Sequence, residues 1–227
     1  MQNLNADPIQ ADFPVGLIDY GMGNLQSVEN ALTALRYRVE RVVFAPSHMD
    51  FLALVLPGVG AFGDCMKSLQ DKGFLPFLKQ WISTDMPFLG ICLGYQILFE
   101  ESSESDGDEG LGIFKGKVLR FPGGKEKVPH MGWNSVQIAK SSTYLEGISS
   151  GDYFYFVHSY YPDVLQKEII LLQTDYGGVS FSSAISRGNL LATQFHPEKS
   201  HKKGIQLLTN FLYRAKMARC SEKKAKQ

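Results

Sequence analysis

The sequence predicts an α/β fold: a doubly wound, mostly parallel sheet with helices on both faces, plus an antiparallel β layer from the second half. Three observations carry this prediction. The first half alternates short aliphatic runs with stretches of helical spacing, the rhythm of strand–helix–strand units. The second half, from Gly112 to Phe195, holds run after run of β-branched and aromatic residues, parted by Gly, Pro, Asn and Asp at hairpin-length gaps. At 227 residues, 44% of them apolar, the chain can fill one such core.

In order along the chain, residues 1–13 are polar and aperiodic and read as an extension outside the domain. Order begins at Val15, where the apolar run VGLIDY is closed by GMGN, a strand entering a turn. From Ser27, the residues Val28, Ala31, Leu32 and Leu35 fall on one helical stripe. VERVVF and LALVLP are two further strands, the second ending in Pro57-Gly58-Val59-Gly60. Helical text follows at 62–69 and 74–82, then the strand PFLGI, then the helical pattern GYQILFEE. KGKVLRF, NSVQIA, YFYFVHSYY, EIILLQT, GVSFSSAI and LLATQF supply the antiparallel strands. A last helix is predicted over 203–217, with Ile205, Leu208, Phe211 and Leu212 on its buried stripe. Residues 218–227 read as a frayed basic tail, which leaves 14–217 as a single domain without repeat or linker.

Composition narrows the function classes. Basic and acidic residues balance at 23 each, which argues against disorder and against a nucleic-acid binder held by a large positive field. The longest uncharged stretch, Met86 to Phe99, has 14 residues where a membrane span needs about 18. No Lys or Arg precedes Arg36, so no secretory n-region is expected. Three widely spaced cysteines fit a reducing compartment and no disulfide framework. The expectation is a soluble, cytoplasmic protein without membrane or nucleic-acid partner.

Chemistry concentrates at Gly90-Ile91-Cys92-Leu93-Gly94, where a buried strand hands over to a helix. A nucleophile held on so sharp a turn needs small neighbours, and the following helix N-terminus would favour a thiolate. Alone, the same pattern also describes a buried cysteine between two turn glycines. Of five histidines, His48 and His201 read as solvated, and His130 and His158 as core residues bonded to backbone. His196 ends an apolar strand and is followed by Pro197-Glu198. If the chain stays extended there, the Glu198 carboxylate lies beside the His196 ring and orients it; an incidental ion pair is the plainer alternative. Backbone amides at Leu93 and in Gly58-Val59-Gly60 are candidate oxyanion donors, although P-G-x-G is also a common strand-end turn. No cysteine or histidine spacing matches a metal site.

Together, P-G-V-G, G-I-C-L-G-Y-Q and F-H-P-E-K resemble the triad (class I) glutamine amidotransferases. More narrowly, DYGMGN and PHMGWN are similar to the glutaminase subunits that serve imidazole glycerol phosphate synthase, and the resemblance runs from about residue 15 to 213. It implies hydrolysis of L-glutamine to glutamate and ammonia by Cys92, His196 and Glu198. It also implies delivery of ammonia to a (β/α)₈ cyclase subunit in histidine biosynthesis, without a cofactor. By the same resemblance Gly58, Gly60, Gln96, Glu104, Ser159 and Tyr160 contact glutamine. Asn24, Trp133, Tyr155 and Lys199 face the cyclase. A paralogue feeding another acceptor, such as a sugar-modification synthase, stays open at this point.

Overall fold

The computed structural model describes residues 13–48, 50–104, 107–124 and 126–225. In chain order, β1 (Val15–Ile18) leads through α1 (Leu25–Ala34) to β2 (Val39–Val42) and β3 (Ala53–Gly58). Two helices, α2 (Phe62–Asp71) and α3 (Phe74–Ser83), precede β4 (Phe88–Cys92) and the one-turn α4 (Leu93–Gln96). Then come β5 (Glu101–Ser102), β6 (Gly116–Arg120), β7 (His130–Ser135), β8 (Gln137–Ile138), β9 (Tyr153–His158) and β10 (Tyr160–Val164). β11 (Ile170–Tyr176), β12 (Val179–Arg187) and β13 (Leu190–Thr193) complete the strands, and α5 (His201–Ala225) closes the chain.

Eight strands form the main sheet in the order β2-β1-β3-β4-β13-β12-β11-β8. The first five are parallel, and β12, β11 and β8 continue antiparallel. β1, β3, β4 and β13 are buried along their whole length, so each reads as an unbroken apolar run rather than an alternation. One sheet face packs against the buried stripes of α1 and α5, the other against α2 and α3. The expected doubly wound core is therefore present. The second-half strands divide: some extend this sheet, while β10-β6-β5 and β7-β9 form two small sheets beside it.

Three local expectations are corrected. The helical pattern GYQILFEE yields only one turn. Beyond Gln96 the carbonyls of Ile97, Leu98 and Phe99 accept the amides of Leu111, Ile113 and Gly112, so the returning segment takes the groups a helix would have used. The last helix runs to Ala225 rather than ending at 217. Ala215 and Arg219, one turn apart, keep its buried stripe going, and the Arg219 guanidinium sits 4.6 Å from the centre of the Phe13 ring. Phe13 thus belongs to the packed domain, and the rest of the polar extension lies outside the described residues. The strand expected from Asn134 starts at His130, because residues 130–135 pair with β9 in register from His130↔His158 to Ser135↔Tyr153.

Candidate active site

β4 delivers Cys92 to the carboxyl end of the sheet, opposite Gly58 of β3 in the ladder. Cys92 has φ 56° and ψ −106°, a region that costs a non-glycine residue about 1–3 kcal/mol. The flanking glycines make this turn fit. A Cβ on Gly90 would lie 2.5 Å from the Gly94 carbonyl oxygen, and one on Gly94 would overlap the Leu56 carbonyl. α4 is only one turn long, so it lacks the summed dipole expected to favour a thiolate.

The Cys92 sulfur borders a cavity of about 300 Å³ lined by Val59, Gly60, Leu93, Gln96, Glu104, Ser159 and Tyr160 among others. A larger groove, about 790 Å³, lies around Met86, Pro87 and Tyr213 at the other end of β4, and its described lining has neither cysteine nor histidine. Ligand sites of open α/β sheets lie at carboxyl strand ends, which favours the smaller cavity.

His196 follows β13, the strand next to β4, and its Nδ1 lies 2.9 Å from Glu198 Oε1. The two side chains are 4% and 1% exposed. They do not meet through extended chain as the sequence suggested. Residues Pro197–Lys199 form a 3₁₀ turn, with Pro at a position where its missing N–H is no loss. Burial works against a charged His196, but the adjacent Cys92 sulfur and then the Glu198 carboxylate outweigh it and raise the imidazole to about 10. Its Nε2, the nitrogen left for the thiol, is buried and, among the described residues, has no polar partner other than the Cys92 sulfur.

Of the residues expected at glutamine, Gly60, Gln96, Glu104, Ser159 and Tyr160 line the same cavity, and Gly58 lies behind its wall. Glu104 reaches it from the acidic loop and is tied there by the Phe62 amide, 2.9 Å from Oε2. Gln96 donates through Nε2 to the Tyr160 carbonyl at 2.8 Å and to Gln194 Oε1 at 3.1 Å, leaving its own carbonyl oxygen for the cavity. Gly60 has φ 101°, open to glycine, and Val59 beside it is 39% exposed. The hydroxyl of buried Tyr20 packs under Gly58, where any side chain would strike it. Burial pushes its ionisation up, and the neighbouring Val59 amide acts in the opposite direction.

Sequence reasoning missed three contributors. Gln194 is fully buried and points its Nε2 at Cys92 Sγ, 3.6 Å away. The alternation that linked His196 to Glu198 would have reached Gln194 if carried one step upstream. His158 lines the cavity and bonds to more than backbone: its Nε2 meets His130 Nδ1 at 3.0 Å, its Nδ1 the Tyr160 carbonyl at 2.8 Å. Burial lowers His158 to about 3 and His130 to about 4. His201 is exposed, as expected, and also stacks on Trp133 with ring centres 4.9 Å apart.

Trp133 and Tyr155 face each other edge to face across β7 and β9 at 6.0 Å. The Tyr155 backbone accepts from the His196 amide, and Lys199 sits in the 3₁₀ turn of the Glu198 carboxylate. Asn24 is exposed at the N-terminus of α1.

Residues 16–215 match the family model for glutamine amidotransferase class-I. The chain belongs to this family. Among similar proteins is the imidazole glycerol phosphate synthase subunit HisH of Desulfitobacterium hafniense (strain Y51), 48% identical over 197 residues, or 87% of this chain and 92% of that one. The HisH subunit of Aquifex aeolicus is 48% identical, covering 88% and 96%. That of Methanocaldococcus jannaschii is 45% identical, covering 87% and 98%. Two solved structures share the fold at low identity. One is a glutamine amidotransferase (TM-score 0.69, 20% identity, 88% and 98% covered); the other is PurLQS from Thermotoga maritima (TM-score 0.71, 17% identity, 89% and 98% covered). Among the described residues no helix is long and apolar enough to cross a membrane.

Proposed function

We propose that this chain is the glutaminase subunit of imidazole glycerol phosphate synthase and hydrolyses L-glutamine to glutamate and ammonia for histidine biosynthesis. The observation that carries the chemistry is the meeting of Cys92, on its strained turn beside the cavity, with the buried His196–Glu198 pair. Relatives at 45–48% identity over nearly the whole chain favour this acceptor pathway over a sugar-modification paralogue.

In the mechanism, Cys92 Sγ attacks the side-chain carboxamide carbon of glutamine. The developing oxyanion takes hydrogen bonds from the Leu93 and Val59 amides. His196 gives its proton to the leaving nitrogen, ammonia departs, and a glutamyl thioester remains. His196, now neutral, takes a proton from water; the water adds, the carbon–sulfur bond breaks and glutamate is released. Glu198 holds the imidazole in the tautomer that leaves Nε2 toward the sulfur. Gln96, Glu104, Ser159 and Tyr160, with the Gly58–Gly60 backbone, bind and orient the amino acid. A (β/α)₈ cyclase receives the ammonia, and Asn24, Trp133, Tyr155 and Lys199 form the surface toward it. The set calls for no organic cofactor.

The test is Cys92→Ala in complex with the cyclase. Synthesis from glutamine is expected to vanish, while synthesis from added ammonium salt persists. Equal loss with both nitrogen sources would remove Cys92 from the role.

A further inference from the structure

We infer that Gln194 is a positioning residue for the nucleophile: its side-chain amide donates to the Cys92 sulfur and thereby aims it and stabilises its ionised form. The inference rests on the glutaminase assignment of Cys92. Gln194 Nε2 lies 3.6 Å from Sγ, within the reach of an N–H···S bond, and the side chain is fully buried, so no water competes for the donor.

The direction of the amide follows from its neighbours. Gln96 Nε2 donates to Gln194 Oε1 at 3.1 Å, which leaves the Gln194 amino group toward the sulfur. Gln96 is held in turn by the Tyr160 carbonyl at 2.8 Å, and that carbonyl also accepts from His158 Nδ1 at 2.8 Å. With its proton committed there, His158 Nε2 accepts from His130 Nδ1 at 3.0 Å, and His130 Nε2 accepts from Asn134 at 3.3 Å. Asn134 Oδ1 accepts the Ser135 amide, which fixes the starting end of the chain. The donors of Asn134, His130 and His158 thus run to the Tyr160 carbonyl, which as a pure acceptor also fixes the Gln96 amino group, and from Gln96 the donors run through Gln194 to the sulfur. Turning the Gln194 amide over would set an amino group against an amino group and an oxygen against a thiolate.

Besides His196, the sulfur meets the Val157 carbonyl at 3.9 Å, which welcomes a thiol proton and repels a thiolate. Gln194 opposes that preference. Its bond strengthens when the sulfur carries charge and fades in the thioester, so it acts on the resting nucleophile rather than on bound glutamine.

The test measures alkylation of Cys92 by iodoacetamide against pH in the full chain, read by mass spectrometry, in the parent and in Gln194→Met, which keeps side-chain length and removes the donor. The groups facing or acting electrostatically on the sulfur (His196 with Glu198 behind it, His158, Tyr20 and Glu104) are unchanged by the substitution. The expected result at pH 7 is a rate about ten- to a hundredfold lower, the worth of a hydrogen bond to a charged group, with convergence on the parent at high pH. In the complex, kcat for glutamate release falls by a similar factor while KM for glutamine stays within about threefold. An unchanged pH midpoint, or a rate lowered equally at every pH, would overturn the inference. Gln194→Leu repeats the measurement if the Met variant does not fold. A parent whose Cys92 resists alkylation at every pH would overturn the nucleophile assignment and this inference with it.

Discussion

Replacing Glu198 with Gln keeps the shape of the triad and removes its charge. In the parent, the carboxylate lies 2.9 Å from His196 Nδ1 in a site where the two side chains are 1% and 4% exposed, so solvent screens the pair little. The imidazole stands at about 10 against the drag of burial, supported first by the Cys92 sulfur and next by Glu198. Losing a hydrogen bond to a charged partner costs about 1.5–3 kcal/mol, or roughly 10- to 150-fold. A second loss adds to it. The glutamine amino group can donate to Nδ1, which moves the ring proton to Nε2 and leaves no acceptor for the thiol proton. The expected fall in kcat is at least about 10²-fold, the lower end of what a general acid–base contributes. KM for glutamine should change little, because Glu198 lies behind the histidine and not on the cavity wall. The assay is glutamate release by the complex at saturating cyclase ligand, with thermal melting and complex affinity measured beside it. Turnover within about twofold of the parent, with the fold intact, would refute the orienting role.

Gly94→Ala forces a methyl group into the Leu56 carbonyl and is expected to cost about 1–3 kcal/mol, lowering the melting temperature by several degrees; an unchanged melting curve would count against the tight elbow. Stability should fall as pH drops below about 6.5, because His130 and His158, held near 4 and 3, take up protons only on unfolding; the slope reaches about 1.4 kcal/mol per pH unit for each ring, and denaturant titrations from pH 7 to 5 would measure it. On the alkaline side, His196 contributes stability that is complete below about 6.5 and lost as pH rises through about 10, so the same titrations carried upward should show a second decline. Val59→Pro removes one oxyanion donor, worth about 10²–10³ in rate, and should lower glutamate release by the complex by that factor while Cys92 stays open to alkylation; undiminished release would show that the Val59 amide is not an oxyanion donor.

The strand–helix rhythm, the Gly-flanked Cys92 and the His196-Pro197-Glu198 run were legible because each depends on residues within a few positions of one another. Backbone sterics demand glycine at 90 and 94, and the apolar runs follow from strands buried on both faces. Even Glu198 beside His196 was readable, although a 3₁₀ turn and not extended chain brings them together. Tertiary structure alone decided where β13 inserts, between β4 and the antiparallel strands, and that choice brings Gln194 to a sulfur 102 residues away in sequence. It also cut the helix after Cys92 to one turn, since carbonyls of residues 97–99 found amides at 111–114 that local periodicity cannot see. The His130–His158 pair belongs to the same class. Its protons are directed by Asn134 at one end and the Tyr160 carbonyl at the other, and only the pairing of β7 with β9 sets those groups in line. Local sterics and burial patterns are written into neighbouring residues; the direction of a buried hydrogen bond depends on which distant groups folding leaves as its sole partners.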